Sequence, residues 1–227
     1  MKGDVFVDTR RVFNTDLQEL SDALIRMGAA ATNAVDRALE ALLAGDKDLA
    51  RKIVEDDNII DEMERNIEHR CLHLLLRQQP VVAGDLREVS TAIKMITDIE
   101  RIGDAAADIS EINLHLERPV FLEIAEDLVA MARAARSMVS SSIEAYVKAD
   151  LELANKTRAQ DDIVDGYFLK IRNALGEIMR TDAEDMDAAI DYLMIIKYFE
   201  RIGDHAENIC EWVEFDKTGI HKRERIL

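Results

Sequence analysis

The pentapeptide Glu-Arg-Ile-Gly-Asp occupies residues 100–104 of this 227-residue chain and returns unchanged at residues 200–204. At the same spacing of 100 residues the likeness continues through three more pairs, Ala106/Ala206, Ile109/Ile209 and Glu111/Glu211. An earlier block, residues 41–61, matches residues 145–165 at a spacing of 104, so the spacing changes only between the two blocks. Length changes of that kind belong in loops. The sequence is therefore an internal duplication in which each half carries the same structural unit.

Helical periodicity runs through both copies of this unit. Over residues 16–44, apolar residues recur every three or four positions, which is the spacing of one buried face of an α-helix. The same spacing predicts five more helices, over residues 48–77, 86–116, 121–148, 151–179 and 184–215. Asp85 with Glu88 and Thr181 with Glu184 have the spacing of capping boxes, which predicts the starts of the third and sixth helices.

Three helices in each half predict an all-α fold of two tandem, pseudo-symmetric three-helix bundles. Pro119, one of only two prolines, marks the junction between the halves. We place the first bundle at residues 10–117, the second at residues 120–215, and a C-terminal tail of irregular structure at residues 216–227. The composition agrees with helices, because 48% of the residues are apolar while only 5% are aromatic.

The charge of the chain restricts its partners. It has 46 acidic and 29 basic residues, which gives a formal net charge of −17. A surface so negative repels nucleic acids and anionic lipids, which leaves cations and basic protein surfaces as partners. The first 16 residues lack the apolar stretch of a signal peptide, and no run approaches a membrane span. We therefore expect a cytoplasmic protein that meets membranes only through its partners.

Acidic residues form a line along the third helix of each half. The line in the first half is Glu100, Asp104, Asp108 and Glu111, and the line in the second half is Glu200, Asp204, Asn208 and Glu211. At about 100° per residue, the members of each line fall within about 80° of the helix circumference. Like charges four residues apart repel each other by about 0.2–0.5 kcal/mol. A sequence that keeps this arrangement in both halves gains something that offsets the repulsion.

A metal ion is the partner that such rows of oxygen ligands predict. One helix cannot surround an ion, but the second helix of each half offers more acids, Asp57, Asp61 and Glu64 in the first half and Asp161 and Asp165 in the second. Gly103 and Gly203 each cost about 1 kcal/mol against alanine inside a helix, and close contact with the facing helix explains them. No catalytic residue is predicted. The predicted metal ligands are Asp57, Asp61, Glu100, Asp104, Asp108, Asp161, Asp165, Glu200, Asp204 and Asn208.

Other interpretations of these residues stay open. Charged rows on helices are commonly solvated faces that bind nothing. His205 either hydrogen-bonds beside the row or reaches an ion, and Arg101 and Arg201 either pair with acids on adjacent helices or face a partner protein. The alternative function is a carboxylate-bridged metalloenzyme, an oxidase or a hydrolase. Di-iron oxidases of this type use Glu-x-x-His, and no histidine in this sequence follows a glutamate at that spacing.

The ordered set of motifs resembles the PhoU family of bacterial phosphate-transport accessory and regulatory proteins. The resemblance rests on the duplicated Glu-Arg-Ile-Gly-Asp, on Asp-x-x-x-Asp in each second helix, and on the segments Arg77-Gln78-Gln79-Pro80 and Gly84-Asp85-Leu86-Arg87. It implies two three-helix bundles with long helices like those of spectrin repeats. It also implies bound iron or zinc, in clusters of more than one ion, at the residues named above.

The function implied by the resemblance is negative regulation of the phosphate-starvation response. PhoU-like proteins link the ATPase of the phosphate ABC transporter to a membrane sensor histidine kinase, and they form homodimers. The two predicted metal sites are unequal, because Glu64 has Phe168 as its counterpart and Asp108 has Asn208. We expect the second site, which is poorer in charge, to be the less occupied one.

Overall fold

The computed structural model describes residues 2–77, 82–181, 183–222 and 224–226, of which residues 2–10 and 225 are described by their backbone alone. Within these ranges the predicted all-α fold is confirmed, with one short antiparallel hairpin at the C-terminal end. None of the helices in the described ranges has a segment both long and apolar enough to cross a lipid bilayer. The elements are α1 Lys2–Ala44, α2 Lys47–Arg77, α3 Ala83–His115, α4 Leu122–Lys148, α5 Leu151–Arg158, α6 Asp161–Thr181, α7 Met186–Thr218, β1 Ile220–His221 and β2 Glu224–Arg225.

The helices form two bundles that share one hydrophobic core. Helices α1, α2 and α3 pack together, as do α4, α6 and α7, while α5 lies against α4 and α7. The bundles join where α3 packs along α7 and where α1 packs against α4. Leu24 on α1, Ile99 on α3 and Phe199 on α7 are fully buried and belong to one contiguous cluster. Each buried side chain of this size contributes roughly 1.5–3 kcal/mol, so the apolar helix faces hold the two bundles together.

The second bundle contains a helix break that the sequence pattern does not predict. Periodicity predicts one helix over residues 151–179, but the structure has two, α5 and α6, separated by residues 159–160. Thr157 is buried just before the break, and its hydroxyl donates a hydrogen bond to the carbonyl oxygen of Leu153 at 2.9 Å. A bond of this kind does not by itself break a helix, since Ser110 makes one within the continuous α3. Ile53 stands at the equivalent position of the first half, where α2 is continuous.

The two predicted capping boxes are wrong. Helix α3 begins at Ala83, two residues before Asp85, and its N-cap is Val82. The hydroxyl of Thr181 donates to carbonyl oxygens of its own last turn, so this residue ends α6 instead of starting α7. Aspartate caps form elsewhere, at Asp46 and Asp150, whose carboxylates accept backbone N–H groups at 2.9 Å. These two residues are equivalent in the duplication, so the start of the second helix is repeated along with the helix itself.

The C-terminal segment extends α7 and then turns back onto the bundle. Gly219 ends α7 in the left-handed conformation, with φ of 73°, and the β1–β2 hairpin follows. His221 stacks on Trp212 with 3.9 Å between the ring centroids. Arg87 of α3 donates from Nε to a backbone carbonyl near the end of α7 at 3.1 Å. Of the residues that the sequence assigns to an irregular tail, 216–218 therefore extend α7, and 219–222 turn back onto it.

Gly28 sets the distance between α1 and α4, where the two bundles meet. A Cβ atom added to Gly28 would lie 2.8 Å from both Cδ1 and Cγ1 of Ile143. Ile143 belongs to the buried core. The glycine costs about 1 kcal/mol of helix propensity against alanine, and the close contact of the two helices requires it.

Replacement of Gly28 by valine is expected to lower the free energy of unfolding by about 1–3 kcal/mol, because a branched side chain overpacks the contact with Ile143. Urea unfolding followed by circular dichroism measures the change. The double variant Gly28→Val/Ile143→Ala should recover part of the loss, since the second substitution makes room for the valine.

Gly176→Ala is the control, because only the end of the Arg180 side chain lies near the added methyl group, at 4.0 Å. A gain of about 0.5–1 kcal/mol is expected there from helix propensity alone. Equal effects of Gly28→Val in the presence and absence of the Ile143 side chain would contradict the proposed contact.

Candidate metal centre

Three carboxylates converge between α2 and α3 of the first bundle. Asp57 and Asp61 lie about one turn apart on α2, and Asp104 meets them from α3. Each side chain offers an oxygen atom that lies within 4.8 Å of the oxygen atoms of the other two. All three residues are half-buried. Carboxylate oxygens at this separation are placed to share a cation.

Glycine allows this close approach in both bundles, as the sequence predicts. A Cβ atom added to Gly103 would lie 2.8 Å from Cδ1 of Ile60, which is buried, and 3.4 Å from Oδ1 of Asp57. A Cβ atom added to Gly203 would lie 3.1 Å from Oδ1 of Asp161. The glycine of the repeated pentapeptide therefore brings a carboxylate of the facing helix directly over its own backbone.

Burial and mutual repulsion raise the pKa values of the first cluster. Burial raises the pKa of Asp57 to about 6, and the charges of Asp104 and Asp61 add to the shift. Burial also raises the pKa of Glu100 to about 7, again with a contribution from Asp104. A raised pKa means that the fold disfavours the ionised form of these groups. A cation in contact with them would reverse that effect.

Arg101 partly neutralises the first cluster from its own helix. Its Nη1 atom donates to Oδ2 of Asp104 at 3.1 Å, and its Nε atom lies 3.4 Å from Oε2 of Glu100. The arginine therefore pairs with acids on its own helix, and its charge also opposes the rise in pKa that burial gives to Glu64 of the adjacent α2. Its equivalent, Arg201, lies over the ring of Tyr198, 5.9 Å from the ring centroid. The two copies of the pentapeptide thus use their arginines differently.

The second cluster lies between α6 and α7 and is more open. Burial raises the pKa of Asp161 to about 7, followed by repulsion from Asp165, Asp204, Glu207 and Glu200. Glu200 is also paired with Lys197 one turn away. Within the described part of the chain, only Asp57, Asp61 and Asp104 bring three acidic or histidine ligand atoms within 4.8 Å of one another.

Glu207 belongs to the second cluster, although the sequence reasoning missed it. Its charge contributes to the raised pKa of Asp161. Asn208 was preferred because the duplication aligns it with Asp108, but its Nδ2 atom donates to Asp98 of α3 at 3.2 Å. The spacing within α7 indicates Glu207 as a member of the cluster, because this residue follows Asp204 by three positions and lies on the same side of the helix.

Asp108 and Asn208 take part in matched contacts between α3 and α7. Asn208 hydrogen-bonds to Asp98, and the hydroxyl of Tyr198 hydrogen-bonds to Asp108. Residues 98 and 198 are equivalent in the duplication, as are 108 and 208, so pseudo-two-fold symmetry relates the two contacts. Asp108 also adds to the raised pKa of Asp57, which places it at the edge of the first cluster. His205 hydrogen-bonds beside the row, with 2.9 Å between its Nδ1 atom and Oδ1 of Asp98.

The donor set of both clusters suits metal ions. It consists of carboxylate oxygens, which hard and borderline cations prefer. Oδ1 of Asp161 is buried and has no hydrogen-bond donor, and Oε2 of Glu100 is buried with no hydrogen bond, although the Nε atom of Arg101 lies 3.4 Å away. A bound cation would supply the missing partner and remove the repulsion within each cluster. The side chains of both clusters therefore fit a metal ion. That the ten residues named in the sequence analysis are its ligands stays a prediction.

The metal-free protein is expected to lose stability as the pH rises from about 5 to about 8. Unfolded carboxyl groups have pKa values near 4, whereas the folded values are about 6 for Asp57 and about 7 for Glu100 and Asp161. Between these values the folded state binds more protons than the unfolded state, so deprotonation lowers the free energy of unfolding. With allowance for solvent exposure, the melting temperature should fall by roughly 2–6 °C.

Asp161→Asn isolates one of these groups, because the amide does not ionise. The variant should raise the melting temperature at pH 8 and have a smaller effect at pH 5, in buffers that contain a chelator. Asp162→Asn, at the exposed neighbouring position on the same turn, controls for the loss of one charge near the start of α6. Equal effects of Asp161→Asn at both pH values would contradict the raised pKa.

Comparison with known proteins gives a consistent result over both halves. A family model described as the PhoU domain matches residues 24–112 and again residues 128–213. A Clostridium acetobutylicum protein named phosphate-specific transport system accessory protein PhoU homolog is 37% identical over 93% of this chain and 96% of its own length. The PhoU homolog 1 of Thermotoga maritima is 32% identical over 93% of this chain and 91% of its own length.

Solved structures agree with the sequence relatives. The crystal structure of PhoU from Pseudomonas aeruginosa superposes with a TM-score of 0.87 at 31% identity and covers 92% of this chain and 100% of that one. The phosphate transport system regulatory protein PhoU from Streptococcus pneumoniae gives a TM-score of 0.85 at 29% identity, with 92% and 98% covered. Because the family model matches both halves and these relatives align along nearly the whole chain, the protein belongs to the PhoU family.

Proposed function

We propose that this protein is a non-catalytic regulator of phosphate transport that binds metal ions through its two carboxylate clusters. The names of its relatives support the first part, since they are called accessory or regulatory proteins of phosphate transport. The convergence of Asp57, Asp61 and Asp104 within 4.8 Å carries the second part. In this proposal the protein works in the cytoplasm, as a homodimer, and restrains the phosphate-starvation response.

The proposed partners are the ATPase of the phosphate ABC transporter and a sensor histidine kinase. The net charge of −17 favours basic protein surfaces as docking partners and disfavours nucleic acid. Contact with the membrane is then indirect, through the transporter and the kinase.

The proposed metals are iron and zinc. The proposal leaves open whether each cluster holds one ion or several. When bound, the metal supplies positive charge that holds two helices together at their carboxylates. Asp57, Asp61 and Asp104 would hold it in the first bundle, with Glu100 and Asp108 beside them. Asp161, Asp165, Glu200 and Asp204 would hold it in the second bundle.

The geometry favours a structural role for the metal over an enzymatic one. The histidine closest in sequence to the rows, His205, has its Nδ1 atom 2.9 Å from Asp98, so this nitrogen is engaged in the contact between α3 and α7. Bundle oxidases instead place Glu-x-x-His motifs around the metal. The carboxylates of each cluster come from two neighbouring helices, and this arrangement suits a metal that stabilises helix packing.

Asp104→Ala and Asp204→Ala are each expected to lower the metal content while they leave the helical fold intact. Elemental analysis of protein purified without added metal measures the content, and circular dichroism measures the helicity. Chelation should lower the melting temperature of the wild type by roughly 5–10 °C, because a ligand at about 100 times its dissociation constant contributes about 2.7 kcal/mol.

Asp22→Ala, at an exposed position on α1, is the matched control and should keep the full metal content. Full metal content in both cluster variants would show that these carboxylates are not the ligands. Metal-free protein with an unchanged melting temperature after chelation would remove the metal from the proposal and leave the regulatory role.

The partner proposal predicts that tagged protein co-purifies with the transporter ATPase or with the kinase. It also predicts that a deletion strain expresses phosphate-starvation genes in phosphate-rich medium. The cluster variants Asp104→Ala and Asp204→Ala show in the same assay whether the metal is required for binding. Absence of both partners from the purified material, together with a normal phosphate response of the deletion strain, would contradict the regulatory role.

A further inference from the structure

The second bundle carries a cation of its own beside the carboxylate row of α7. Arg158 is the last residue of α5, and each nitrogen of its guanidinium faces a different glutamate of α7. The distances are 3.4 Å from Nε to Glu207, 3.3 Å from Nη2 to Glu211 and 3.5 Å from Nη1 to Glu214. Only 32% of the arginine side chain is exposed. Three carboxylates thus converge on one positive group supplied by the chain.

The first bundle has a different set of residues at the equivalent positions. The duplication aligns Arg158 with Val54, which lies on α2. It also aligns two of the three glutamates with apolar residues, Glu207 with Ala107 and Glu214 with Leu114. The arginine and its two additional glutamates therefore occur together in one half, and apolar residues occur together in the other.

Glu207 connects Arg158 with the second cluster. It follows the predicted ligand Asp204 by three residues on α7, and its carboxylate lies 3.4 Å from Nε of Arg158, which precedes Asp161 by three residues. A carboxylate that faces a guanidinium has less negative charge and fewer lone pairs to offer to a metal ion. Lys222 of the hairpin lies 3.5 Å from Oε2 of Glu211, so Glu211 contacts two cations, Lys222 and Arg158.

We propose that Arg158 takes the place of a metal ion at this end of the second cluster, so that the second cluster binds metal more weakly than the first. The inference rests on the proposed metal-binding function. It explains the weaker metal binding of the second cluster by this positive charge, as well as by the smaller number of carboxylates in the second half. A guanidinium is always charged at physiological pH and needs no uptake from solution. Arg101 beside the first cluster is 50% exposed and contacts two carboxylates of its own helix, whereas Arg158 is 32% exposed and contacts three carboxylates of another helix.

Two single-cluster proteins allow each half to be titrated by itself. The double variant Asp61→Asn/Asp104→Asn removes ligands of the first cluster and keeps the second cluster intact. The double variant Asp165→Asn/Asp204→Asn removes ligands of the second cluster and keeps the first cluster intact. Zinc alone is the probe, and calorimetric titration of chelator-treated protein gives the affinity. The protein with only the first cluster should bind zinc more tightly.

Arg158→Val, which introduces the residue found in the first half, is then added to the protein that keeps the second cluster. Its zinc affinity should rise on the order of tenfold, because repulsion between a fixed positive charge and a divalent ion is removed and Glu207 is released. Arg158→Lys keeps the charge and should stay within about threefold of the parent, as repulsion is retained. Arg180→Val, which removes one exposed positive charge at the far end of α6, is the matched control and should change nothing.

Circular dichroism establishes that each variant is folded, and Arg158→Gln replaces Arg158→Val if the valine variant does not fold. Zinc affinity that stays the same or falls in the folded, uncharged variant would overturn the inference and leave the metal function standing. Failure of both single-cluster proteins to bind zinc would overturn the metal function and this inference together. An equal gain in the Arg180→Val control would show that net charge, and not Arg158, sets the affinity.

Discussion

The packing of neighbouring helices in each bundle must accommodate half-buried carboxylates of like charge where the two helices touch. At Gly103 and Gly203 there is no side chain to keep the helices apart, so Asp57 and Asp161 lie over the facing backbones. The cost is visible in the raised pKa values of these aspartates. Apolar burial elsewhere is large enough to hold the helices together despite that cost. A cation at each cluster, as proposed, would convert the same repulsive contact into an attractive one and would couple metal binding to helix packing.

The contact between α3 and α7 places the two clusters in one symmetric frame. Asp98 with Asn208 and Tyr198 with Asp108 are related by the duplication, yet their chemistry differs, since one contact uses an amide donor and the other a phenol. His205 joins only the first of them. The contact between α3 and α7 therefore uses equivalent positions of the two halves, but the side chains at those positions differ. A ligand bound at one cluster would contact a helix that packs directly against the helix of the other cluster.

The helices and the first cluster are predictable from the sequence because they depend on local spacing. Apolar periodicity gives the helices, and the repeated pentapeptide gives Asp104 and Gly103. The break before α6 is not predictable in this way, because the apolar spacing continues across residues 159–160. The role of Asn208 depends on Asp98 of another helix, and no spacing within α7 contains that information. Local patterns thus fix the elements, and contacts between elements decide which polar side chains face the cluster.

The helix break and the position of Arg158 are parts of one difference between the halves. Because α5 ends at Arg158, the guanidinium lies at the end of a short helix, where the side chain contacts three glutamates of α7. In the continuous α2 the equivalent residue is Val54, which lies within the helix three residues before Asp57. An internal cation keeps the second bundle partly neutralised whether or not metal is present. If the clusters bind metal as proposed, the first one, which has only the more exposed Arg101 beside it, would depend more on the supply of metal, and the helix packing of the first bundle would respond to that supply.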